Sequence, residues 1–168
     1  MGEHIPVLLH ETIDGLNVNP NGIYLDLTIG RGGHSSVILS KLKDGKLIGF
    51  DQDEEAIQES TVNLSKISNK FELVHSNFVR FKSVLEEKGI EYVDGILMDL
   101  GVSSPQFDEA ERGFSYREDA PLDMRMDRSQ SLTAYDIVNT YSLEDLSMIF
   151  REYGDERFAF SIAKNIIK

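Results

Sequence analysis

The feature that most restricts the fold is an alternation of short apolar runs with segments of helical pattern. Four runs rich in β-forming residues occupy 23–27, 46–50, 71–75 and 93–100. Each is separated from the next by a segment long enough for a helix, and strands joined through helices lie parallel. Right-handed crossovers then place helices on both faces of the sheet. The sequence therefore predicts an α/β fold, a parallel sheet with helices on both faces.

Helix boundaries follow from capping residues and apolar spacing. Asp53 is a good N-cap, and Gly89 fits the C′ position of a later helix. Further along, Ser142 and Asp145 resemble a capping box. The predicted helices are about 6–15, 34–43, one from 53, 78–89, 131–140, 142–154 and 155 to the end, the last with Phe158, Ile162 and Ile166 on one face.

Composition excludes several classes of protein. The 168 residues contain no cysteine, which removes disulfide scaffolds, thiolate nucleophiles and cysteine-ligated metals, and we predict no metal site. The apolar run near the N-terminus is too short for a signal peptide or a membrane span, so we expect a cytoplasmic protein with no membrane partner. A net charge of −12 argues against a non-specific coat on nucleic acid.

A glycine-rich loop follows the first strand, in the stretch IYLDLTIGRGGHS. Glycines at this point usually let the backbone approach a nucleotide-like ligand. A triphosphate loop is excluded, because it needs a Gly-Lys-Ser/Thr ending and this loop has no lysine. A dinucleotide loop is closer, since Gly30, Gly32 and Ser35 almost fit its fingerprint and Asp51 is placed for ribose hydroxyls. Asp26 argues against it, because a charged residue buried in the first strand is costly without a specific role.

S-adenosylmethionine (SAM) fits the loop better than a dinucleotide. It carries one ribose, no pyrophosphate and a zwitterionic methionine end, so its site needs close-packed glycines, a carboxylate for the ribose and acceptors for the amino group. The predicted strands end in the polar residues Asp26, Asp51, Ser76–Asn77 and Asp99. Open α/β sheets bind ligands at this edge. Each residue alone is typical of a turn or a cap, but the set favours SAM as cofactor.

The residues after the fourth strand indicate the acceptor chemistry. Asp99 is followed by Gly101 and by the polar, proline-containing stretch SSPQ over 103–106. Amino-group methyltransferases carry a short polar-proline loop here, where a carboxylate and backbone carbonyls orient an amine for in-line transfer. The Asp/Asn-Pro-Pro-Tyr motif common in adenine and cytosine N-methylation is absent, so these residues alone leave the acceptor open.

Five stretches form a distinctive ordered set. They are HIPVLLHE, YLDLTIGRGGHS, IGFDQDEEAI, DGILMDLGVSSPQFDEAERGFSYREDAPLDMRMD and YGDERFAFSIAKNI. In this order they closely resemble the bacterial 16S ribosomal RNA cytosine-N4 methyltransferase family. The resemblance implies SAM-dependent N4-methylation of a cytidine at the decoding centre, with 16S ribosomal RNA in the small subunit as partner. It also implies a Rossmann-like SAM-dependent methyltransferase fold with an inserted helical domain.

Matching positions carry the family's functional residues onto this chain. The resemblance implies cofactor-binding residues Gly32, Gly33, His34, Asp51, Phe78, Asp99 and Gln106. Among them, Asp51 would bind the ribose and Phe78 would lie beside the adenine. Asp99 is also the candidate catalytic residue, whereas His34 is expected to contact the cofactor only.

Family members are considerably longer than this chain, so the resemblance implies that a C-terminal part is missing. We expect 1–104 to form the first half of the SAM-binding methyltransferase domain. We expect 105–168 to form a lid loop and the start of an inserted helical substrate-recognition domain. Ile29 stands where the family pattern has phenylalanine, an apolar exchange that a core tolerates.

The stretch 106–128 has no secondary-structure period, and two interpretations of it remain open. It sets Arg112, Arg117, Arg125 and Arg128 among seven acidic residues and several aromatics. In one interpretation it is an RNA-facing lid, whose arginines hold phosphates while aromatic side chains stack on an extruded base. In the other it is a linker with internal salt bridges.

Two further classes of function remain open from the residues alone. One is an NAD-dependent oxidoreductase, which binding assays with labelled SAM and NADH distinguish. The other is a SAM- or RNA-binding module without turnover, which a methylation assay on small ribosomal subunits distinguishes. The sequence also leaves open a homodimer.

Overall fold

The computed structural model describes residues 6–168. The chain divides into two compact units, the first ending at Gly101 and the second running from Val102 to Lys168. The helices are α1 Leu9–Leu16, α2 Gly33–Lys41, α3 Glu54–Ser65, α4 Phe81–Glu87, α5 Ser104–Asp108, α6 Ala134–Thr140, α7 Leu143–Glu152 and α8 Ala159–Ile166. The strands are β1 Ile23–Asp26, β2 Lys46–Asp51, β3 Phe71–His75 and β4 Gly95–Leu97.

The first unit is built on a four-stranded sheet with strand order β3-β2-β1-β4. Every pairing is parallel, with Tyr24 of β1 opposite Leu47 of β2 and Gly95 of β4. The predicted parallel α/β fold is therefore confirmed. Because all strands run in one direction, their carboxyl ends meet at the same edge, which we call the carboxyl edge.

Alternate strand residues build a separate apolar core on each face of the sheet. Tyr24 and Leu47 belong to a cluster with residues of α1, α2 and α3. Leu25 and Phe50 point to the opposite face, where they cluster with Leu85 of α4. Full burial of side chains of this size contributes about 1.5–3 kcal/mol each, which is enough to fix the strand register. Helices therefore cover both faces of the sheet, as predicted.

Two predicted elements of the first unit are wrong in extent. The fourth strand is Gly95–Leu97 and not 93–100, because its partner β1 ends at Asp26, opposite Leu97. The predicted helix over 78–89 is a 3₁₀ turn, Phe78–Arg80, followed by α4. The turn forms because the side chain of Asn77 accepts the N–H of Val79 at 3.0 Å.

The predicted helix ends at Asp53 and Gly89 are confirmed. Asp53 caps α3, its carboxylate accepting the N–H of Glu55 at 3.1 Å. Gly89 follows α4 with a φ of +66°, the left-handed conformation expected of a C′ glycine. The first helix begins later than predicted, at Leu9, because Leu8 has a φ of +49° and lies outside the helical region.

The second unit, residues 102–168, is helical and contains no strand. Ser142 caps α7 as predicted, accepting the N–H of Asp145 at 3.1 Å and donating to its carboxylate at 2.8 Å. The last helix begins at Ala159 and not at 155. Its buried residues are Ala159 and Ala163, so the predicted apolar face of Phe158, Ile162 and Ile166 is exposed.

Candidate functional site

The glycine loop is held over the carboxyl edge by hydrogen bonds to β2. The N–H of Ile29 donates to the carbonyl of Phe50 at 2.9 Å. One residue later, the N–H of Gly30 donates to Oδ2 of Asp51 at the same distance. The loop and the end of β2 therefore form one hydrogen-bonded structure.

Asp51 ends β2 and presents a largely buried carboxylate. Burial raises its pKa, while backbone hydrogen bonds from Asp53, Gly30 and Gln52 act in the opposite direction. A carboxylate offers about four acceptor positions, so three backbone donors leave capacity for a ligand hydroxyl. The placement of Asp51 at the edge, beside the glycine loop, agrees with the sequence-based expectation.

Asp26 ends β1 and is only 1% exposed. Its Oδ2 accepts the hydroxyl of Ser35 at 2.7 Å, and its Oδ1 accepts the N–H of Thr28 at 3.2 Å. Burial raises its pKa to about 6, and the bonds from Ser35 and Thr28 oppose that rise. Asp26 thus connects the end of β1 to the first turn of α2. These hydrogen bonds offset the cost of burying its carboxyl group.

The two glycines at the start of α2 serve different purposes. Gly32 is the N-cap of α2 with a φ of +81°, a conformation that favours glycine. A Cβ on Gly33 would lie 2.3 Å from Cγ of Pro6. Glycine at position 33 therefore lets the segment before α1 close against α2.

His34 lies in the first turn of α2 and is 7% exposed. Its Nε2 is 3.0 Å from the carbonyl oxygen of Val7. The imidazole therefore holds the segment before α1, a partner that sequence reasoning missed.

The third and fourth strands also end in polar residues at this edge. After β3, the side-chain amide of Asn77 donates to Oε1 of Gln52 at 2.9 Å. Phe78 is half-buried and packs against the core on the α4 face of the sheet. After β4, Asp99 is exposed, and its N–H donates to the hydroxyl of Thr28 at 2.7 Å. No local pattern marks Thr28 as a site residue, because its partner lies 71 residues away.

Gln106 lies in the second unit, where it caps a helix. Its N–H donates to Oγ of Ser103 at 3.4 Å, and its Oε1 accepts the N–H of Ser103 at 3.1 Å. The predicted polar-proline loop is therefore wrong: residues 104–108 form α5. A Ser-x-x-Gln capping box with proline in the first turn was the available signal.

Two arginines of the 106–128 stretch bond to groups of the same stretch. Arg112 is 3% exposed and donates to the carbonyls of Arg125 and Met126, at 3.2 Å each. Arg125 forms a bidentate pair with Asp123 at 2.8 and 2.7 Å and lowers the pKa of that carboxyl to about 2. Both arginines therefore bond within the loop, as the linker interpretation expects, and an RNA-facing role for them stays a prediction.

The described residues contain neither a membrane-spanning helix nor a metal-binding cluster. Across 6–168, no helix combines the length and apolar character needed to cross a bilayer. Over the same residues, histidine, aspartate and glutamate form no group of three or more suited to a metal ion.

A parallel sheet of order β3-β2-β1-β4, with a glycine loop after β1 and acidic residues closing β1 and β2, defines a Rossmann-like α/β protein. Comparison with known families is more specific. Residues 1–168 match the model of the MraW methylase family. The chain belongs to this family, and the resemblance drawn from its motifs is confirmed.

A curated relative and two solved structures can be described individually. The chain is 64% identical over 168 residues to Ribosomal RNA small subunit methyltransferase H of Mesoplasma florum, covering 99% of this chain and 54% of the relative. It thus spans about half the length of the curated relative that it matches. An rRNA methylase of Streptococcus thermophilus has 24% identity and a TM-score of 0.41, with 49% and 50% of the two chains covered. A protein of Streptococcus mutans in complex with SAH has 23% identity and a TM-score of 0.47, with 60% and 56% covered.

Proposed function

We propose that the protein containing this chain methylates N4 of a cytidine in 16S ribosomal RNA at the decoding centre, with SAM as methyl donor. The observation that carries the proposal is membership of the MraW methylase family, together with 64% identity to a ribosomal RNA small subunit methyltransferase. The NAD-dependent alternative is not favoured, because the family is one of methylases.

The residues at the carboxyl edge fit SAM as the cofactor. Asp51 retains acceptor capacity for a ribose hydroxyl. A Cβ built on Gly30 or on Gly101 would meet no heavy atom within 4 Å among the described residues, so both glycines face open space. The residues proposed to bind the cofactor are Gly32, Gly33, His34, Asp51, Phe78 and Asp99, and Gln106 stays a predicted cofactor-binding residue. Bound SAM supplies an electrophilic methyl group.

Asp99 is the proposed catalytic residue. A carboxylate is able to accept hydrogen bonds from an amine, and an exocyclic amine conjugated to a base is a poor nucleophile that must be oriented. Asp99→Asn tests this role in the full-length protein. Retained SAM affinity with most turnover lost supports orientation of the amine, and weakened SAM binding supports a cofactor contact. Unchanged affinity and turnover remove Asp99 from the site.

The proposed partner is 16S ribosomal RNA within the small subunit, and the proposed location is the cytoplasm. The second unit is proposed to be a lid loop and the start of an inserted substrate-recognition domain. In the lid interpretation Arg112, Arg117, Arg125 and Arg128 hold phosphates, and aromatic residues such as the 98% exposed Tyr116 stack on the extruded base. A homodimer stays a prediction that light scattering of the full-length protein tests.

The experiment that tests the proposed function is methyl transfer from tritiated SAM to unmodified small ribosomal subunits. The full-length protein and residues 1–168 are assayed in parallel. The ribosomal RNA is then digested, and the modified nucleoside is identified. The proposal predicts N4-methylcytidine from the full-length version. A full-length version that binds SAM and small subunits but transfers no methyl group indicates a binding module instead.

A further inference from the structure

We infer that Thr28 is a positioning residue, whose hydroxyl holds the backbone of Asp99 at the carboxyl edge and so sets the place of the Asp99 carboxylate. The hydrogen bond between Thr28 and Asp99 is present in the structure whatever reaction the protein catalyses. Its effect on turnover rests on the proposed function, in which Asp99 is the catalytic residue.

The contact continues the pairing of β1 with β4 after the backbone of β1 has turned away. The last ladder pair is Asp26 with Leu97, and the N–H of Leu27 still donates to the carbonyl of Leu97 at 3.0 Å. The next donor on the β4 side is the N–H of Asp99. Continued parallel pairing would give it a main-chain carbonyl of β1. Here the hydroxyl of Thr28 accepts it, at 2.7 Å.

Thr28 is itself fixed by buried groups. Its N–H donates to Oδ1 of Asp26 at 3.2 Å, and Oδ2 of Asp26 accepts the hydroxyl of Ser35 at 2.7 Å. Asp26 and Ser35 are 1% and 0% exposed. Because threonine is branched at Cβ, its side chain also has few rotamers. The position of the hydroxyl is therefore determined by the buried end of β1 and the start of α2.

The segment around Asp99 has little other restraint of its own. Met98 and Leu100, on either side, are 54% and 66% exposed, so their side chains pack weakly. Gly101 follows with a φ of +150°, and glycine gives the backbone wide freedom. The hydrogen bond to the Thr28 hydroxyl therefore restrains the Asp99 backbone in a segment whose neighbouring side chains pack weakly. Displacements of about 1 Å in a reacting group are enough to cost roughly 100-fold in rate.

The test uses the full-length protein and three threonine variants. Thr28→Val removes the acceptor at nearly constant shape, and Thr28→Ser keeps it. Thr61→Val is the matched control, because the Thr61 hydroxyl makes a 2.7 Å bond to the carbonyl of Ile57 on the exposed side of α3. Amide exchange of Asp99 is measured by NMR, and kcat is measured on small ribosomal subunits.

We expect Thr28→Val to accelerate exchange at Asp99 and to lower kcat by roughly 10- to 100-fold. Thr28→Ser should restore most of both properties, and Thr61→Val should match the unmodified protein. In an Asp99→Asn background, Thr28→Val should lower kcat no further, because Thr28 acts through Asp99. Should Thr28→Val fail to fold, Thr28→Ala removes the same acceptor and gives the same comparison.

Two outcomes overturn the inference. Unchanged exchange at Asp99 in Thr28→Val shows that the hydroxyl does not hold that backbone. An equal loss of kcat with and without the Asp99 carboxylate shows that Thr28 does not act through Asp99. If Asp99→Asn keeps full turnover while Thr28→Val still accelerates exchange, the positioning contact stands and the proposed role of Asp99 fails.

Discussion

The free energy of unfolding of the sheet should decrease as the pH rises, because the buried carboxyl of Asp26 must ionise. Replacing Asp26 by asparagine should remove this pH dependence. Burial raises the pKa of Asp26 from its ordinary 3.8 to about 6, against the opposing hydrogen bonds from Ser35 and Thr28. A shift of about two units corresponds to about 3 kcal/mol in the free energy of unfolding, at about 1.4 kcal/mol per unit. That is a large part of the stability of a domain of this size.

The sign follows from proton binding in the two states. Because the pKa is higher in the folded protein, the folded state holds its proton more tightly at mildly acidic pH. The contribution of Asp26 is therefore most favourable below its unfolded pKa and is lost as the pH rises through about 6. Asparagine keeps an acceptor for the N–H of Thr28 and carries no charge at any pH. The stability of the unmodified protein minus that of Asp26→Asn should fall by about 2.5 kcal/mol between about pH 4 and about pH 7.

The assay must report on the sheet and not on the helical unit. Pulse-labelling hydrogen exchange across a urea series, followed on peptides from β1 and β2, gives the free energy of unfolding of the sheet at each pH. Asp14→Asn is the control, because Asp14 is exposed on α1 and its replacement should change stability by less than about 0.5 kcal/mol. A stability difference for Asp26→Asn that stays flat with pH, or rises, refutes the reasoning.

Three further predictions concern the second unit. Arg112→Leu should destabilise it by about 3 kcal/mol, because two main-chain carbonyls lose a charged donor; unchanged urea denaturation would contradict this. Gly113→Ala should cost more than Gly89→Ala in the first unit, since both glycines have positive φ but only a Cβ on Gly113 would meet main-chain atoms, at 2.5 and 2.7 Å. Equal losses in urea denaturation would reject the steric argument. Arg125→Gln should raise the pKa of Asp123 from about 2 towards 3.8 in an NMR titration, and an unchanged pKa would show that the ion pair does not set it.

The architecture of the first unit could be predicted because its signals are local. Apolar strands separated by helical segments determine a parallel sheet, and Asp53 and Gly89 mark helix ends through their own backbone chemistry. The extent of β4 was not predictable in this way. Its end depends on where β1 turns into the glycine loop, and that partner lies far away in the sequence.

In the candidate site, too, features set by the local sequence could be predicted, whereas contacts between distant residues could not. The placement of Asp51 and Asp99 at one edge of the sheet was predictable, because parallel strands bring their carboxyl ends together. The close approach of Pro6 to Gly33 and the hydrogen bond from His34 to Val7 were not found, because each joins residues more than 25 positions apart. Sequence reasoning assigned these positions to a ligand, whereas the structure also gives them partners within the chain.

We propose that the carboxyl edge binds SAM through Asp51 beside the glycine loop. Isothermal titration of the full-length protein with SAM tests it, using Asp51→Asn and the control Asp44→Asn, whose side chain is 89% exposed before β2. We expect Asp51→Asn to weaken SAM binding by about 1–3 kcal/mol, roughly 5- to 150-fold, and Asp44→Asn to leave it unchanged. Equal SAM affinity in a folded Asp51→Asn variant and in the unmodified protein would show that Asp51 does not bind SAM.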